Sequence, residues 1–571
     1  MSVEYRHRDT HRHRRGGALT LALSASVLAA VAAWVVGCGE PQAPVAVGDI
    51  PELTVYVDST ESVDIARYFS DPDGDALTYA AFVSDTEVAT ASVSESVVTV
   101  SGVSVGTDTV AVIATDPDGL TARQAFSVTV RLTDRQVLEI LYDELGGDNW
   151  GVTTNWKTDA PLEEWFGVST GADGRVDTLE LSNNSLTGEI PPELGDLSDL
   201  EYLSLGYNSL TGEISPELGY LSNLEWLSFH GNFLSGEILP ELSDLSNLNK
   251  LYLSDNRLTG EIPSWLGDLS NLETLNLSNN QLTGEIPSQL GDLSSLEGLG
   301  LGNNQLTGEI PPWLGDLSNL EYLDLGNNQL TGGIPSGLGD LSNLEWLHLG
   351  GNSLTGEIPP ELSNLSNLFW LELPNNSLTG EIPTELGDLS DLYALYLNDN
   401  QLTGGIPSGL GDVSNLRDLY LNNNQLTGEI PPELGDLSNL DDLYLGNNLL
   451  TGEIPPWLGD LSSLNYLYLG NNQLTGGIPP ELGDLSYLYN LYINDNQLTG
   501  EIPPELGDLS NLTRLYLNDN QLTGEIPPDF LNLSALWWFS WDDNDGLCAP
   551  DTSEFDEWLD EMLERSGPRC D

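Results

Sequence analysis

Positive charge is what this sequence has least of. Among 571 residues, 17 are Lys or Arg against 89 Asp or Glu, a formal net charge of −72. Five of those bases (Arg6, Arg8, Arg12, Arg14, Arg15) precede the first apolar run; loss of everything before Cys38 would leave 12 bases against 87 acids. A surface this negative repels phosphate backbones, which excludes nucleic acid as a partner, and it disfavours broad docking onto anionic lipid headgroups. Two readings of the charge remain: solvation, or a cationic or calcium-bridged partner. Cysteine is nearly absent as well. Only Cys38, Cys548 and Cys570 occur, too few for a paired-cysteine metal site, and in an exported protein the last two read as one disulfide.

Residues 1–37 have the three parts of an export signal: an Arg/His-rich start, an apolar run from Ala18 to Val36, and small residues before a cleavage point. The end, Val35-Val36-Gly37-Cys38, resembles a bacterial lipobox, in which Cys38 would become the lipid-bearing first residue and residues 38–44 a linker. It departs from the commonest form in its two valines. Gly39, not Asp, follows, which that resemblance associates with the outer membrane. The competing reading is an uncut membrane helix, since the apolar run approaches the roughly 20 residues that span a bilayer. Either way the chain is exported and anchored to a membrane at the cell surface.

Residues 45–131 alternate apolar and polar in short runs such as Leu53 to Asp58 and Asp108 to Thr115, punctuated by Asp-Gly turns, which predicts a small β-sandwich. Ser70 to Asp75 and Asp116 to Gly119 resemble cadherin-like or immunoglobulin-like modules of bacterial surface proteins, which implies a stalk. Asp71, Asp73, Asp75, Asp116 and Asp118 are candidate calcium ligands, because clustered carboxylates suit that cation. The competing reading, and the favoured one, is that Asp-Pro-Asp-Gly is an ordinary turn.

Residues 132–175 read as an entry cap. Thr133 to Gln136 forms a capping box, Leu138, Leu141, Tyr142 and Leu145 recur at helical spacing, and Trp150, Trp156 and Trp165 are candidate core. From Val176 to Leu536 one sentence, L-x-x-L-x-L-x-x-N-x-L-T-G-E-I-P-x-x-L-G-x-L-S-x, repeats fifteen times every 24 residues without insertion, and a partial unit ends at Asn544. Such a period predicts an α/β repeat solenoid: L-x-L strands stack side by side, and their inward leucines form one continuous core. The recurring asparagine, from Asn184 to Asn544, is assigned to satisfying turn backbone. The Leu186 to Pro191 stretch resembles the plant-specific class of leucine-rich repeats. That likeness, over residues 133–571, implies a second short strand per unit and a right-handed superhelix. Residues 545–571 read as an exit cap in which Phe555, Trp558, Leu559, Met562 and Leu563 share a helical face.

Function should be written on the outward strand positions, which vary without harming the core. The fifth position carries Tyr396, Tyr420, Tyr444, Tyr468, Tyr492 and Tyr516 in succession, and the third adds Tyr322, Trp346 and Trp370 among others. Six tyrosines at about 4.8 Å spacing would form an exposed stripe roughly 24 Å long on the concave face, suited to a protein or glycan. Duplication and β-propensity are the competing explanation. Beyond the leader only His230 and His348 remain, five units and so about 24 Å apart, unable to share a metal. No nucleophile elbow or phosphate loop appears, and no carboxylate pair stands out. The expectation is a surface binding or adhesion protein without catalysis or cofactor. A scaffold or inhibitor of a secreted hydrolase, which a likeness to plant wall-enzyme inhibitors would allow, and a passive surface-layer component stay open.

Overall fold

The computed structural model describes residues 40–544 and 546–570. The leader and Cys38 lie outside the described residues. Contacts divide the chain into two compact units, with the division between Val130 and Arg131.

In the first unit, a four-stranded antiparallel sheet (Leu53–Tyr56, Thr121–Arg131, Gly106–Thr115, Thr78–Val83) and a three-stranded one (Thr60–Asp64, Val97–Gly102, Ala89–Ser94) share an apolar core. Alternation explains it: in Gly106–Thr115 the residues Asp108, Val110, Val112 and Ala114 point inward and their neighbours are partly solvated. Asp108 is the one carboxylate so buried in this strand. Backbone and hydroxyl donors of Ser84, Asp85 and Thr109 surround it and hold its carboxyl below the usual range despite burial.

The second unit is the solenoid. Its main sheet has 18 strands among the described residues, running from Val168–Thr170 to Glu564–Ser566. The first pairing is antiparallel; each later strand as far as Trp538–Ser540 lies parallel to the one before it, 24 residues on and in register, as Leu323 beside Leu347. Glu564–Ser566 closes the sheet in parallel, 26 residues after its neighbour. One turn shows why. Leu299, Leu301, Leu306, Ile310, Leu314, Leu317 and Leu320 are all at most 1 % exposed, so every apolar letter of the repeat faces the shared interior. After the strand, Asn303 takes a left-handed φ of 55°, a conformation asparagine tolerates better than most residues. Pro311 and Pro312 then pre-set φ for a 3-10 turn, Pro312–Asp316, which lowers Leu314 into the core.

Asn304, buried beside that turn, donates from Nδ2 to the carbonyls of Leu301 (3.1 Å), Gly302 (3.3 Å) and, one turn back, Leu277 (3.1 Å). Its Oδ1 accepts from Leu282 N–H at 3.0 Å. Equivalent asparagines make equivalent bonds up to Asn544. The second strand is present in most turns but short, and in the turns of Thr331, Thr403 and Thr475 it shrinks to a single bridged residue. Pieces such as Thr283–Glu285 with Gln305–Thr307 pair only in twos, because the left-handed glycine of the T-G-E motif (Gly308 φ 87°) bends the chain out of the ladder.

The entry helix, Asp134–Glu144, carries the full capping box at Thr133 and Gln136, and Trp150, Trp156 and Trp165 are buried behind it. The exit differs from the sequence reading. Its helix, Ser553–Asp560, buries Phe555, Trp558 and Leu559 but stops before Met562, and Leu563 is 75 % exposed. Leu563 N–H instead donates to Trp537, and Glu564–Ser566 joins the main sheet beside Trp538–Ser540. Cys548 and Cys570 are joined, their Cα atoms 4.9 Å apart.

Candidate binding face of the repeat sheet

Each strand presents its third and fifth repeat positions on one side of the buried leucine between them. Trp346-Leu347-His348 is an example, with only the leucine fully covered. Stacking in register turns these positions into two parallel columns. In the fifth column, Tyr396, Tyr420, Tyr444, Tyr468, Tyr492 and Tyr516 succeed one another with ring centroids 4.7, 4.1, 4.1, 4.2 and 4.5 Å apart. In the third, Tyr322 approaches Trp346 at 6.0 Å, and Trp346 lies parallel to Trp370 at 4.7 Å with 3° between planes. Trp370 then meets Tyr396 at 6.1 Å, so the track changes column there and continues over nine consecutive units. The structure brings all nine singled-out aromatics into one row.

The expected freely exposed stripe needs correction. The six tyrosines are half-buried, because each interior ring uses both faces against its neighbours and leaves its edge and hydroxyl to solvent. Tyr396 donates to Asp418 (3.1 Å), Tyr420 donates to Asp442 (2.7 Å), and Tyr468 accepts from Asn490 (3.2 Å). Burial, reinforced by neighbouring Tyr444, pushes the Tyr468 phenol up to about 12, so it stays a neutral donor at physiological pH. Burial also lifts the Asp442 carboxyl to about 6; the charges of Asp418 and Asp441 add to this, while Tyr420 opposes it. The native state therefore holds this proton more tightly than the unfolded chain does. Stability from this group falls as pH rises from about 4 through 6. The variant D442N is expected to lose that part of the slope, as a comparison of urea midpoints at pH 4.5 and 7.5 would show.

Sequence reasoning missed a third set, at the second repeat position. There the column runs through acids such as Glu297, Glu321 and Glu345, then turns aromatic at Phe369 and Tyr393, and again at Tyr489 and Trp537. Phe369 and Trp537 are 42 % and 57 % exposed. Phe369, Tyr393, Arg417 and Glu345 line an open hollow of about 580 Å³, and Tyr489, Arg514, Trp537 and Trp538 a second of about 290 Å³. The change of residue type down one column was the available signal. An earlier aromatic group, Tyr202, Trp226 and Tyr252, is separated from the main track by Gly298 and Gly300.

The remaining candidates lie elsewhere. Asp71 Oδ1 accepts from the N–H of Asp73 and Asp75, and Asp116 Oδ1 from that of Leu120, each closing its own turn. Asp75, though exposed, titrates above the usual range through partial desolvation and the charges of Asp71, Asp118, Asp73 and Asp116. Among the described residues, no group of three or more His, Cys, Asp or Glu is arranged to hold a metal ion. No helix there is long and apolar enough to cross a membrane.

Family models of the leucine-rich repeat match residues 246–306, 414–474 and 294–332, and single repeats match seven more segments between 175 and 533. The solved ectodomain of the Arabidopsis receptor kinase HAESA, in complex with the peptide hormone IDA and a co-receptor, is 34 % identical, covering 76 % of this chain and 74 % of its own, with a TM-score of 0.70. The chain belongs to the leucine-rich-repeat proteins. Other solved leucine-rich-repeat proteins resemble it too. A plant peptide hormone receptor, solved with its hormone, is 30 % identical over 68 % of this chain and 73 % of that one, at a TM-score of 0.57. A bacterial repeat protein of Leptospira interrogans is 31 % identical over 71 % of this chain and 94 % of that one, at 0.52. No curated protein matches the chain.

Proposed function

We propose that this leucine-rich-repeat protein is an extracellular binding protein that holds a polypeptide along the aromatic track, tethered through a lipid on Cys38. The observation that carries the reading is the continuous row from Tyr322 to Tyr516. Rings already fixed by stacking lose little further entropy when a partner covers them, and tyrosine edges with hydroxyls supply both apolar and polar contact. The same stacking argues for polypeptide over glycan. Sugars pack on open ring faces, and the interior faces here are occupied by neighbouring rings. HAESA and the second plant receptor were solved with peptide ligands, which supports the same class of partner. The face works by binding, not by catalysis.

The test is a pull-down with the immobilised protein from the extracellular fluid it meets. Ligand activity in that fluid should be destroyed by protease and survive glycosidases; the opposite pattern would transfer the reading to glycans. No saturable ligand of either kind would leave the passive surface-layer reading.

A further inference from the structure

The fifth column does not begin with tyrosine. Immediately before Tyr396 it carries Asp324, His348 and Glu372, in register on three successive strands. Asp324 is nearly buried, and its Oδ1 lies 3.1 Å from His348 Nδ1 while also accepting the Gly326 N–H at 2.9 Å. His348 Nε2 lies 3.7 Å from Glu372 Oε2, longer than a good hydrogen bond. Room for the ring depends on Gly326, where a Cβ would lie within 2.5 Å of His348 Cε1 and Nε2.

We propose that Asp324, His348 and Glu372 form a subsite for a basic side chain, a lysine ammonium or arginine guanidinium, of the polypeptide bound along the track. The inference rests on the proposed function and adds the charge of the partner at one place. Asp324 fixes a proton on Nδ1, so the proton that His348 gains or loses is the one on Nε2, between the ring and Glu372. When it is lost, a nitrogen lone pair faces a half-buried carboxylate, two acceptors with no donor between them. A ligand N–H entering that gap donates to both and restores the charge balance, while Trp346 and Trp370 in the neighbouring column offer apolar surface to a long side-chain stem. The groups acting on His348 are Asp324 from the preceding strand and Glu372 from the following one; Tyr322 reaches it only through Asp324. Burial opposes protonation of His348, but the two carboxylates prevail and its titration moves above the ordinary 6.5. Below that titration the ligand must displace a proton; above it, none.

The experiment uses the full chain and an acetylated, amidated hexalysine peptide, with hexaglutamine as reference, followed by calorimetry at fixed ionic strength. Hexalysine affinity should rise with pH by up to about tenfold per unit below the His348 titration and then level off, with matching proton release. His348→Gln and Glu372→Gln should each flatten this profile. Peptide held only by the diffuse negative surface would show no such dependence on one histidine, since exposed carboxylates titrate near 4. A profile unchanged in both variants, or no binding beyond that of hexaglutamine, would overturn the subsite. Replacing Tyr420, Tyr444 and Tyr468 by serine separates the two claims. Loss of affinity there with an unchanged His348→Gln leaves the track and removes the subsite; the reverse leaves the subsite and removes the track.

Discussion

Asn304→Ala should destabilise the solenoid by about 3 kcal/mol, a large effect for removing one polar group. Its amide serves backbone groups of two turns at once: the carbonyls of Leu301 and Gly302, the carbonyl of Leu277 one turn back, and the Leu282 N–H. Alanine leaves the Leu282 N–H unpaired, and a buried backbone group in that state costs about 1–3 kcal/mol. The three carbonyls keep second donors in Asn328 Nδ2 (Leu301), Asn280 Nδ2 (Leu277) and the Asn279 N–H (Gly302). In a stacked array each turn touches only its neighbours, so the damage should stay near residues 277–304 instead of spreading along the rod. Hydrogen exchange of the variant reads both magnitude and position. Asn304→Asp should be at least as damaging, because it removes the donors and buries a charge. A loss below about 1 kcal/mol would contradict the ladder account.

Replacing Tyr420, Tyr444 and Tyr468 by serine should lower affinity for the captured partner by about a hundredfold or more. Central, water-excluding aromatic contacts are commonly worth 1–3 kcal/mol each, and three adjacent losses are not additive. The folded state should lose the stacking of the three rings as well, at about 0.5–1.5 kcal/mol per pair. Folding is therefore checked by circular dichroism alongside binding. The triple phenylalanine variant tests the hydroxyls separately: it keeps the rings, abolishes the Tyr420–Asp442 bond, and should retain most of the affinity. If the serine variant folds and binds unchanged, the tyrosines are a by-product of repeat duplication.

The solenoid was legible because its signal is a period. Leucine at fixed spacing names the strand, the interior and the neighbour at once, and fifteen uninterrupted copies leave no register to choose. The aromatic residues could be located for the same reason, since a 24-residue shift is a one-strand step. Their stacking could not, because ring orientation is decided by packing between neighbours that the period does not describe. Phe369 and Trp537 escaped because strand alternation draws the eye to the third and fifth positions, whereas they stand just ahead of the strand. The strand Glu564–Ser566 is polar and exposed, so no apolar pattern marks it; a sheet edge waiting to be paired placed it there. Asn303 was hidden beside Asn304: two adjacent asparagines look like one signal, yet one supplies a backbone conformation and the other hydrogen bonds.

The most direct measurement is hydroxyl-radical footprinting of the full protein with and without its captured partner. The account predicts protection concentrated on Trp346, Trp370 and the tyrosines from 396 to 516, with labelling of Trp313, outside the two strand columns, unchanged. Protection of Trp313 and its surroundings while the track stays fully labelled would contradict it.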